Sequence, residues 1–246
     1  MKPHLAAAAA LAAMADVVFP RTCLSCGSVP ETGPFRHLCT RCASQVDYVK
    51  APCCFTCGHP YYGEVIGERV CPHCAGLFPA YREGRTAVLC KGPARVLVHE
   101  LKYRKGLYAL EDIETIFRAS AGILDFVRDA ILVPVPLHPR KLRERGYNQS
   151  VLFAEAIVRA AGGSTRIEHL LLRSIDTASQ TGFDRRTRLT NLKNAFALAD
   201  GAAITPEHHY VLVDDVFTTG STLNSCAHVL RHAGCLNLDV VTFGHG

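Results

Sequence analysis

The sequence predicts an α/β domain with a parallel sheet, preceded by a small unit that is rich in cysteine. Three observations support this prediction. Eight of the twelve cysteines lie in four CxxC pairs between Cys23 and Cys74. From about Tyr81 onward, apolar segments alternate with amphipathic ones, which is typical of strands joined by crossover helices. One apolar segment, Val211–Val213, runs directly into two acids and a glycine-containing run of hydroxyl residues.

Composition sets broad limits on the class of protein. The 246 residues, 48% of them hydrophobic, suffice for one medium domain and a small one. The net charge of +5 is too mild to establish nucleic-acid binding by itself. Thiol pairs that are spaced for a metal ion indicate a reducing compartment, so we expect the protein in the cytoplasm. We expect no transmembrane segment.

The first 20 residues differ in composition from the rest of the chain. They contain an alanine-rich run from Ala6 to Ala15. Because alanine is the best helix former, we expect a short leading helix over residues 1–20. The alternative is a secretory signal peptide, since a lysine precedes the run and Ala-Met-Ala ends it.

The CxxC pairs predict two structural zinc sites in a double zinc ribbon over residues 21–80. Two residues between cysteines allow a tight turn to present both sulfurs to one tetrahedral ion. Gly27 and Gly58 follow their pairs and permit the positive φ that turns backbone N–H groups toward the thiolates. With pairing in sequence order, the ligands are Cys23, Cys26, Cys39 and Cys42 for one ion and Cys54, Cys57, Cys71 and Cys74 for the other.

Three alternatives for these ligands stay open at the level of sequence. The two ribbons could interleave, with ligands exchanged between the sites. Cys53 could replace Cys54 in a CxxxC arrangement. His59 and His73 are possible substitute ligands, although four thiolates per ion are already available.

Residues 81–246 form the predicted α/β domain. Apolar runs indicate strands that are buried on both faces, and apolar residues on one helical face indicate the helices between them. We expect strands at Thr86–Cys90, Ile131–Leu137, Leu170–Leu172, Tyr210–Phe217 and Leu238–Phe243. We expect helices at Ala94–Tyr103, Leu110–Phe126, Gln149–Ala161 and Thr222–His232. Their alternation predicts a parallel sheet with flanking helices.

The segment Val211–Leu223 carries the predicted binding site. Its apolar start indicates a buried strand, and Val216 to Gly220 supply a turn before the next helix. The free N–H groups and the dipole of a helix start favour a phosphate, which a glycine lets the backbone approach closely. The acids are acceptors that suit a sugar diol or a metal-bound phosphate. We predict a ribose 5-phosphate site formed by Asp214, Asp215, Thr218, Thr219, Gly220, Ser221 and Thr222.

Two other segments are strongly basic. Leu137–Ser150 follows the Ile131 strand and contains the cations Arg140, Lys141, Arg143 and Arg145. Because α/β sheets bind ligands at the carboxyl ends of their strands, these cations are candidates for contacts with a pyrophosphate or a nucleic-acid backbone. A solvated surface is the alternative. The polar, arginine-rich run Gln180–Asn194 is a candidate for a segment that closes over the site.

These motifs together resemble one protein family. Val211–Thr222 resembles the motif with which type I phosphoribosyltransferases bind 5-phosphoribosyl 1-pyrophosphate (PRPP). LKYRKG at Leu101–Gly106, VPVPLHPRKLRERGYNQS at Val133–Ser150 and the run that begins at Gln180 are similar to segments of the ComF family. This family contains competence and DNA-utilisation proteins, including the GntX type. Its members often begin with a double zinc ribbon before a phosphoribosyltransferase domain.

The resemblance implies a type I phosphoribosyltransferase-like fold that binds PRPP together with Mg²⁺. In that family the acid pair holds the ribose hydroxyls and the TTGST-like loop holds the 5-phosphate, roles that match Asp214, Asp215 and residues 218–222 here. Lys102, Arg140 and Arg145 are the candidates for the pyrophosphate. The resemblance also implies a role in DNA uptake or utilisation, with single-stranded DNA and DNA-uptake proteins at the inner membrane as partners.

Two functions fit these observations. One is an active phosphoribosyltransferase, in which an acceptor attacks the anomeric carbon of PRPP and pyrophosphate leaves. The other is a non-catalytic module that senses PRPP and binds single-stranded DNA or a partner protein. The sequence names neither an acceptor site nor a catalytic residue, so whether the chain is an enzyme stays open.

Overall fold

The computed structural model describes residues 21–61, 70–120, 122–173 and 195–246. The predicted leading helix and the run Gln180–Asn194 lie outside these residues. The strands are β1 (Gly84–Leu89), β2 (Ile131–Pro134), β3 (Arg166–Ile167), β4 (Leu171–Arg173), β5 (Phe196–Leu198), β6 (His209–Phe217) and β7 (Asn237–His245). The helices are α1 (Thr40–Ala43), α2 (Gly92–Tyr103), α3 (Ala109–Ala119), α4 (Ile123–Phe126), α5 (Pro139–Arg145), α6 (Gln149–Ala161) and α7 (Ser221–His232). Among the described helices, none has the length and hydrophobicity of a membrane span.

Five of these strands form one parallel sheet in the order β1-β7-β6-β2-β3. The central strand, β6, lies between β7 and β2. The strands β4 and β5 pair antiparallel with each other, apart from this sheet. Helices cover both faces of the sheet, and the cysteine-rich unit precedes it. The predicted fold class is therefore confirmed.

Two predicted elements differ from the structure, and a further helix is present where none was predicted. The helix expected at Leu110–Phe126 is interrupted between α3 and α4, where Gly122 has a left-handed φ of 75°. The strand expected at Leu170–Leu172 exists as β4 but belongs to the separate hairpin. The basic run after β2 contains a helix, α5, that was not predicted. It begins at Pro139, after His138, whose ring nitrogen accepts the Arg140 N–H. It ends at Arg145 and is followed by Gly146, whose φ is 91°.

Two apolar clusters lie on opposite faces of the sheet, as the alternating side chains of β6 show. Val211 and Val213 belong to the first cluster, whereas Tyr210 and Leu212 belong to the second. The first cluster also contains residues of α2, α3, α6 and the first cysteine tetrad. The second contains residues of α7, the β4–β5 hairpin and the second tetrad. Each ribbon therefore packs against a different face of the α/β domain.

The chain reverses its direction of winding between β2 and β6. From β2, helix α6 leads outward to β3, whereas α7 leads from β6 in the opposite direction to β7. In open α/β sheets, ligands bind in the crevice at the carboxyl ends of the strands where such a reversal occurs. The pairing of β2 with β6 ends at Pro134 and Val213, so the crevice opens beside Asp214.

Candidate functional site

Two cysteine tetrads provide ligand sets for zinc. In each tetrad the four sulfurs lie within 4.8 Å of one another. The sulfurs of Cys26 and Cys39 are 3.6 Å apart and those of Cys57 and Cys71 are 3.4 Å apart. A tetrahedral ion with Zn–S bonds of about 2.3 Å needs sulfurs about 3.8 Å apart, which is close to these distances. The chain therefore has the residues for two structural zinc sites.

The tetrads settle the alternatives that the sequence left open. Their members are Cys23, Cys26, Cys39 and Cys42 in one and Cys54, Cys57, Cys71 and Cys74 in the other, which confirms pairing in sequence order. Cys53 is not part of a tetrad, and its sulfur lies 3.7 Å from Arg85 Nη1. The left-handed φ values of Gly27 and Gly58, 76° and 74°, agree with the predicted CxxCG turns.

The second ribbon packs closely against β1. A Cβ atom added to Gly58 would lie 2.6 Å from the backbone nitrogen of Thr86. The Thr86 hydroxyl donates a hydrogen bond to the Cys57 carbonyl over 2.9 Å. The turn that carries Cys54 and Cys57 is thus held directly against the sheet.

The acid pair lies within β6, before the strand ends at Phe217. The turn was expected to begin at Val216, but the pairing with β7 continues to the register pair Phe217–His245. Because neighbouring residues on a strand point to opposite faces, the two carboxylates have different surroundings. Asp214 contacts the start of α6, whereas Asp215 contacts α2.

Asp215 forms an ion pair with Lys102, in the last turn of α2. The Lys102 Nζ atom is 2.8 Å from Asp215 Oδ2, and the two side chains expose 23% and 8% of their surface. Burial opposes the charge on Lys102, but the carboxylates of Asp215 and Asp214 outweigh it and raise the pKa of Lys102. The repulsion between the two acids is therefore partly offset within the chain itself.

Asp214 is half-buried at the mouth of the crevice. Its Oδ1 atom accepts hydrogen bonds from the Ser150 hydroxyl and from the Asp215 N–H, each over 2.9 Å. Burial, together with the charge of Asp215, raises the pKa of Asp214 to about 7. Loss of water and a like charge both disfavour the ionised carboxyl group in the free protein. A ligand that donates hydrogen bonds to this carboxylate would relieve that cost.

The short loop Thr218–Gly220, which we call the hydroxyl loop, leads from β6 into α7. The Thr219 hydroxyl lies 2.9 Å from the Ser221 hydroxyl and accepts the Ser221 N–H over 3.4 Å. Thr218 is exposed, whereas Thr219 and Thr222 are half-buried and Ser221 is buried. Exposed or half-exposed hydroxyl groups thus surround the positive end of α7.

Gly220 has a structural role besides the contact with a phosphate that the sequence predicts. Its φ of 70° lies in the left-handed region. An added Cβ would lie 2.6 Å from the Phe217 ring and 2.8 Å from Leu77, which leads out of the second ribbon. The glycine is required for the turn and for packing of the ribbon beneath the loop. In the free protein, its missing side chain faces the core and not the crevice.

The two predicted arginines have unequal positions on α5. The Arg145 guanidinium donates a hydrogen bond to Gln149, the first residue of α6 and the neighbour of Ser150. Arg140 is exposed, and its Nε atom is 3.1 Å from a carboxylate oxygen of Glu144. A chain of contacts therefore connects Arg145 to the acid pair, while Arg140 pairs along the outer surface of its helix.

Sequence analysis missed Ser150 as a member of the site. The signal was present, because Asn148 is a helix-capping residue and its side chain accepts the Ser150 N–H over 3.1 Å. A residue at a helix start after β2 faces the same crevice as the end of β6. The Tyr147 hydroxyl also donates to the Leu101 carbonyl, next to Lys102. The segment after β2 thus contacts both the acid pair and the end of α2.

Comparisons with known proteins match both the cysteine-rich unit and most of the length of the chain. Residues 14–75 match the family model described as the double zinc ribbon domain. The chain is 30% identical over 216 residues to competence protein F of Haemophilus influenzae, an alignment that covers 82% of this chain and 88% of that protein. The chain belongs to the ComF family.

Further relatives of this ComF-family chain share most of its length. DNA utilization protein YhgH of Escherichia coli K12 is 30% identical, with 82% of this chain and 88% of that protein covered. Competence protein ComFC of Bacillus subtilis is 24% identical, with 82% and 80% covered. A solved structure of a hypoxanthine phosphoribosyltransferase from Staphylococcus aureus aligns with 54% of this chain and 62% of that chain, at 18% identity and a TM-score of 0.35.

Proposed function

We propose that the ComF-family chain binds PRPP with Mg²⁺ in the crevice between the carboxyl ends of β2 and β6. The observation that carries this proposal is the juxtaposition of the acid pair with the hydroxyl loop and the start of α7. The helix start offers N–H donors and a positive dipole to a phosphate. Asp214 offers a partly exposed carboxylate to a sugar diol.

The contacts of each residue suggest its role toward PRPP. We assign the ribose hydroxyls to Asp214, because it borders the crevice. Asp215 is occupied by Lys102, so we assign it chiefly to holding that ammonium group near the pyrophosphate. We assign the 5-phosphate to the hydroxyl loop and to the first turn of α7, Ser221 and Thr222. Arg145 is a second candidate for the pyrophosphate, and Arg140 is a more distant one.

Mg²⁺ fits the charge pattern of this proposed site. The ion prefers oxygen ligands and keeps several waters, so we expect the phosphate oxygens of PRPP to hold most of it. When bound, it neutralises the phosphate groups. The residues of the chain bind and orient the sugar, and Lys102 supplies a positive charge that the fold keeps largely out of water.

Titration with fragments of the ligand tests the assignment of the 5-phosphate. Ribose 5-phosphate should bind the wild-type protein without Mg²⁺, because the loop needs only the phosphate. Thr219→Val removes the hydroxyl while keeping the shape of the side chain, and should weaken binding about fivefold to tenfold. Thr115→Val, at a half-buried threonine of α3 whose hydroxyl donates to the Glu111 carbonyl, is the matched control. Equal affinities for all three proteins would exclude the hydroxyl loop as the phosphate site.

We further propose a role in the uptake or utilisation of DNA, supported by the names of the relatives and by one surface feature. Exposed Arg140 and Arg143 and half-buried Lys141 lie together on α5, beside the crevice. Such a cluster suits the backbone of single-stranded DNA, whose binding should then weaken as salt is raised. Replacing these three residues by alanine should reduce binding, whereas Arg159→Ala on α6 should not. DNA-uptake proteins at the inner membrane and a cytoplasmic location belong to the same proposal.

Release of pyrophosphate separates an enzyme from a PRPP sensor. The protein is incubated with Mg²⁺ and PRPP, and nucleobases, amines or single-stranded DNA are added as acceptors. An acceptor-dependent release that Lys102→Met abolishes supports a phosphoribosyltransferase. Tight PRPP binding without release in any mixture supports the non-catalytic module.

A further inference from the structure

Aromatic and basic side chains form an exposed stripe along α2 and into the loop that follows it. Arg95, His99 and Tyr103 recur every four residues, so they lie on one face of the helix. Arg104 and Lys105 follow directly in the loop, and all five residues are exposed. We propose that these five residues, which we call the α2 platform, bind single-stranded DNA, with bases stacked on the rings and phosphates on the cations.

The aromatic rings of the platform are accessible to a ligand. Tyr103 exposes 70% of its surface, and its ring centroid lies 4.8 Å from that of His99. Tyr108, at the far end of the loop, exposes 46%, and its ring lies 5.0 Å from that of His37 in the first ribbon. Unpaired bases stack on exposed rings of this kind, whatever their sequence. A duplex keeps its bases paired, so the rings favour a single strand.

The charge of the platform suits a polyanion. Arg95 and Lys105 have no ion-pair partner within the described residues. Among the residues of α2, which the structure describes throughout, the one acid is Glu100, and it is buried. Cations beside exposed rings are typical of proteins that bind single strands without sequence preference. An interface with another protein would instead have an apolar centre that is depleted of charged residues.

A buried carboxylate holds the loop of the platform in one conformation. Glu100 accepts hydrogen bonds from Arg104 Nη1 over 2.9 Å and from the Tyr108 hydroxyl over 3.0 Å. Its backbone carbonyl accepts the N–H groups of Arg104 and Gly106, each over 3.1 Å. Lys105, between them, has a left-handed φ of 55°. The surface is therefore ordered before a ligand binds, which reduces the entropy that binding costs.

The platform borders the crevice of the proposed PRPP site. Tyr103 directly follows Lys102, whose ammonium group pairs with Asp215. Burial raises the pKa of the Cys90 thiol, while the charges of Lys102 and Arg95 both act to lower it, so Arg95 also lies near this end of the sheet. A single strand on the platform would run beside the acid pair. This inference rests on the role in DNA utilisation proposed above and adds the surface that holds the bases.

Fluorescence anisotropy with a fluorescein-labelled oligothymidine of about 16 nucleotides tests the proposal. Tyr103→Ala should bind it about fivefold to 100-fold more weakly than the wild type, the value of one stacked base. Tyr103→Phe keeps the ring and should bind like the wild type. Phe78→Ala is the matched control, because it removes a ring that is 85% exposed on another part of the surface, and it should also bind like the wild type. Thermal unfolding of each variant verifies that the fold is intact.

Dependence on salt separates the contribution of the ring from that of the cations. Arg95→Ala and Lys105→Ala should each flatten the slope of log affinity against log salt by about 0.7, the value of one phosphate contact on a single strand. Tyr103→Ala should weaken binding and leave this slope unchanged, because stacking releases no counterions. A fully paired DNA hairpin should bind Tyr103→Ala and the wild type equally.

The outcomes distinguish this inference from the proposed role in DNA utilisation. If Tyr103→Ala binds the oligothymidine as tightly as the wild type, while the triple alanine variant of α5 has lost binding, the platform is not a DNA surface and the proposed role stands. If the wild type does not bind the oligothymidine, the proposed role fails as well. An equal loss in Phe78→Ala, or tighter binding of an oligouridine RNA than of DNA, also overturns the inference.

Discussion

Replacement of Asp215 by asparagine should destabilise the free protein, because it leaves the Lys102 ammonium group without its carboxylate. The two groups are 2.8 Å apart, and both side chains are largely buried. Removing one partner of a fully buried ion pair costs roughly 3–5 kcal/mol. Water that reaches Lys102 and relief of the repulsion on Asp214 both reduce this cost. We expect the free energy of unfolding to fall by about 2 kcal/mol.

A double-mutant cycle isolates this interaction. Lys102→Met alone leaves two adjacent carboxylates without a cation and should also cost about 2 kcal/mol. The variant Lys102→Met/Asp215→Asn removes both charges and should recover most of that loss. The coupling free energy should therefore be about 2 kcal/mol, measured by urea denaturation at pH 7.5 with a fixed zinc concentration.

The exposed pair Arg128–Asp125 is the matched control for this cycle. Its side chains expose 70% and 77% of their surface, so its coupling should stay below about 1 kcal/mol. If the costs of Lys102→Met and Asp215→Asn instead add within about 0.5 kcal/mol, the ion pair does not hold the site together in solution. The assignment of Asp215 as the residue that positions Lys102 would then be wrong.

Three further predictions concern the acid pair, the zinc ions and the hydroxyl loop. Because the pKa of Asp214 is raised, this group contributes stability that is complete below about pH 4 and is lost as the pH rises through about 7. Asparagine does not ionise, so Asp214→Asn should gain at least about 1 kcal/mol over the wild type between pH 5 and 8 in urea denaturation. Cys23→Ser and Cys71→Ser should each lose one zinc ion by elemental analysis. Cys71→Ser alone should weaken PRPP binding, since Leu77, just after the second ribbon, packs against the loop at Gly220. Gly220→Ala should lower the free energy of unfolding by about 3 kcal/mol, measured by thermal unfolding. Gly201→Ala is the control and should lower it by about 1 kcal/mol, because Gly201 has a similar φ of 74° but no atom within 4 Å of its added Cβ.

The features that the sequence predicted well depend on short-range patterns. The CxxC spacing determines how two sulfurs approach one ion, so four local motifs predicted the ligands, whereas only the structure shows which motifs share an ion. The boundaries of α6 were also correct, because Asn148 caps its start and Gly162 follows its end. The order of apolar strand, acids, loop and helix around β6 followed from the same kind of local pattern.

The features that sequence analysis missed depend on contacts between distant residues. Lys102 and Asp215 are separated by most of the α/β domain, and only the order of the strands brings α2 to the end of β6. The packing of Leu77 against Gly220 likewise depends on which face of the sheet the second ribbon covers. The end of β7 likewise contacts a ribbon far from it in the sequence, and local spacing gives no sign of this contact.

Calorimetric titration of Mg–PRPP into the wild type and Asp214→Asn tests the central claim most directly. The substitution keeps the shape of the side chain and removes a charge that the free protein holds at a cost. The wild type should bind PRPP only weakly without Mg²⁺. Asp214→Asn should bind Mg–PRPP about 10–100-fold more weakly, the value of a hydrogen bond to a charged acceptor, while its free energy of unfolding is higher. Equal affinities of the two proteins for Mg–PRPP would contradict the account.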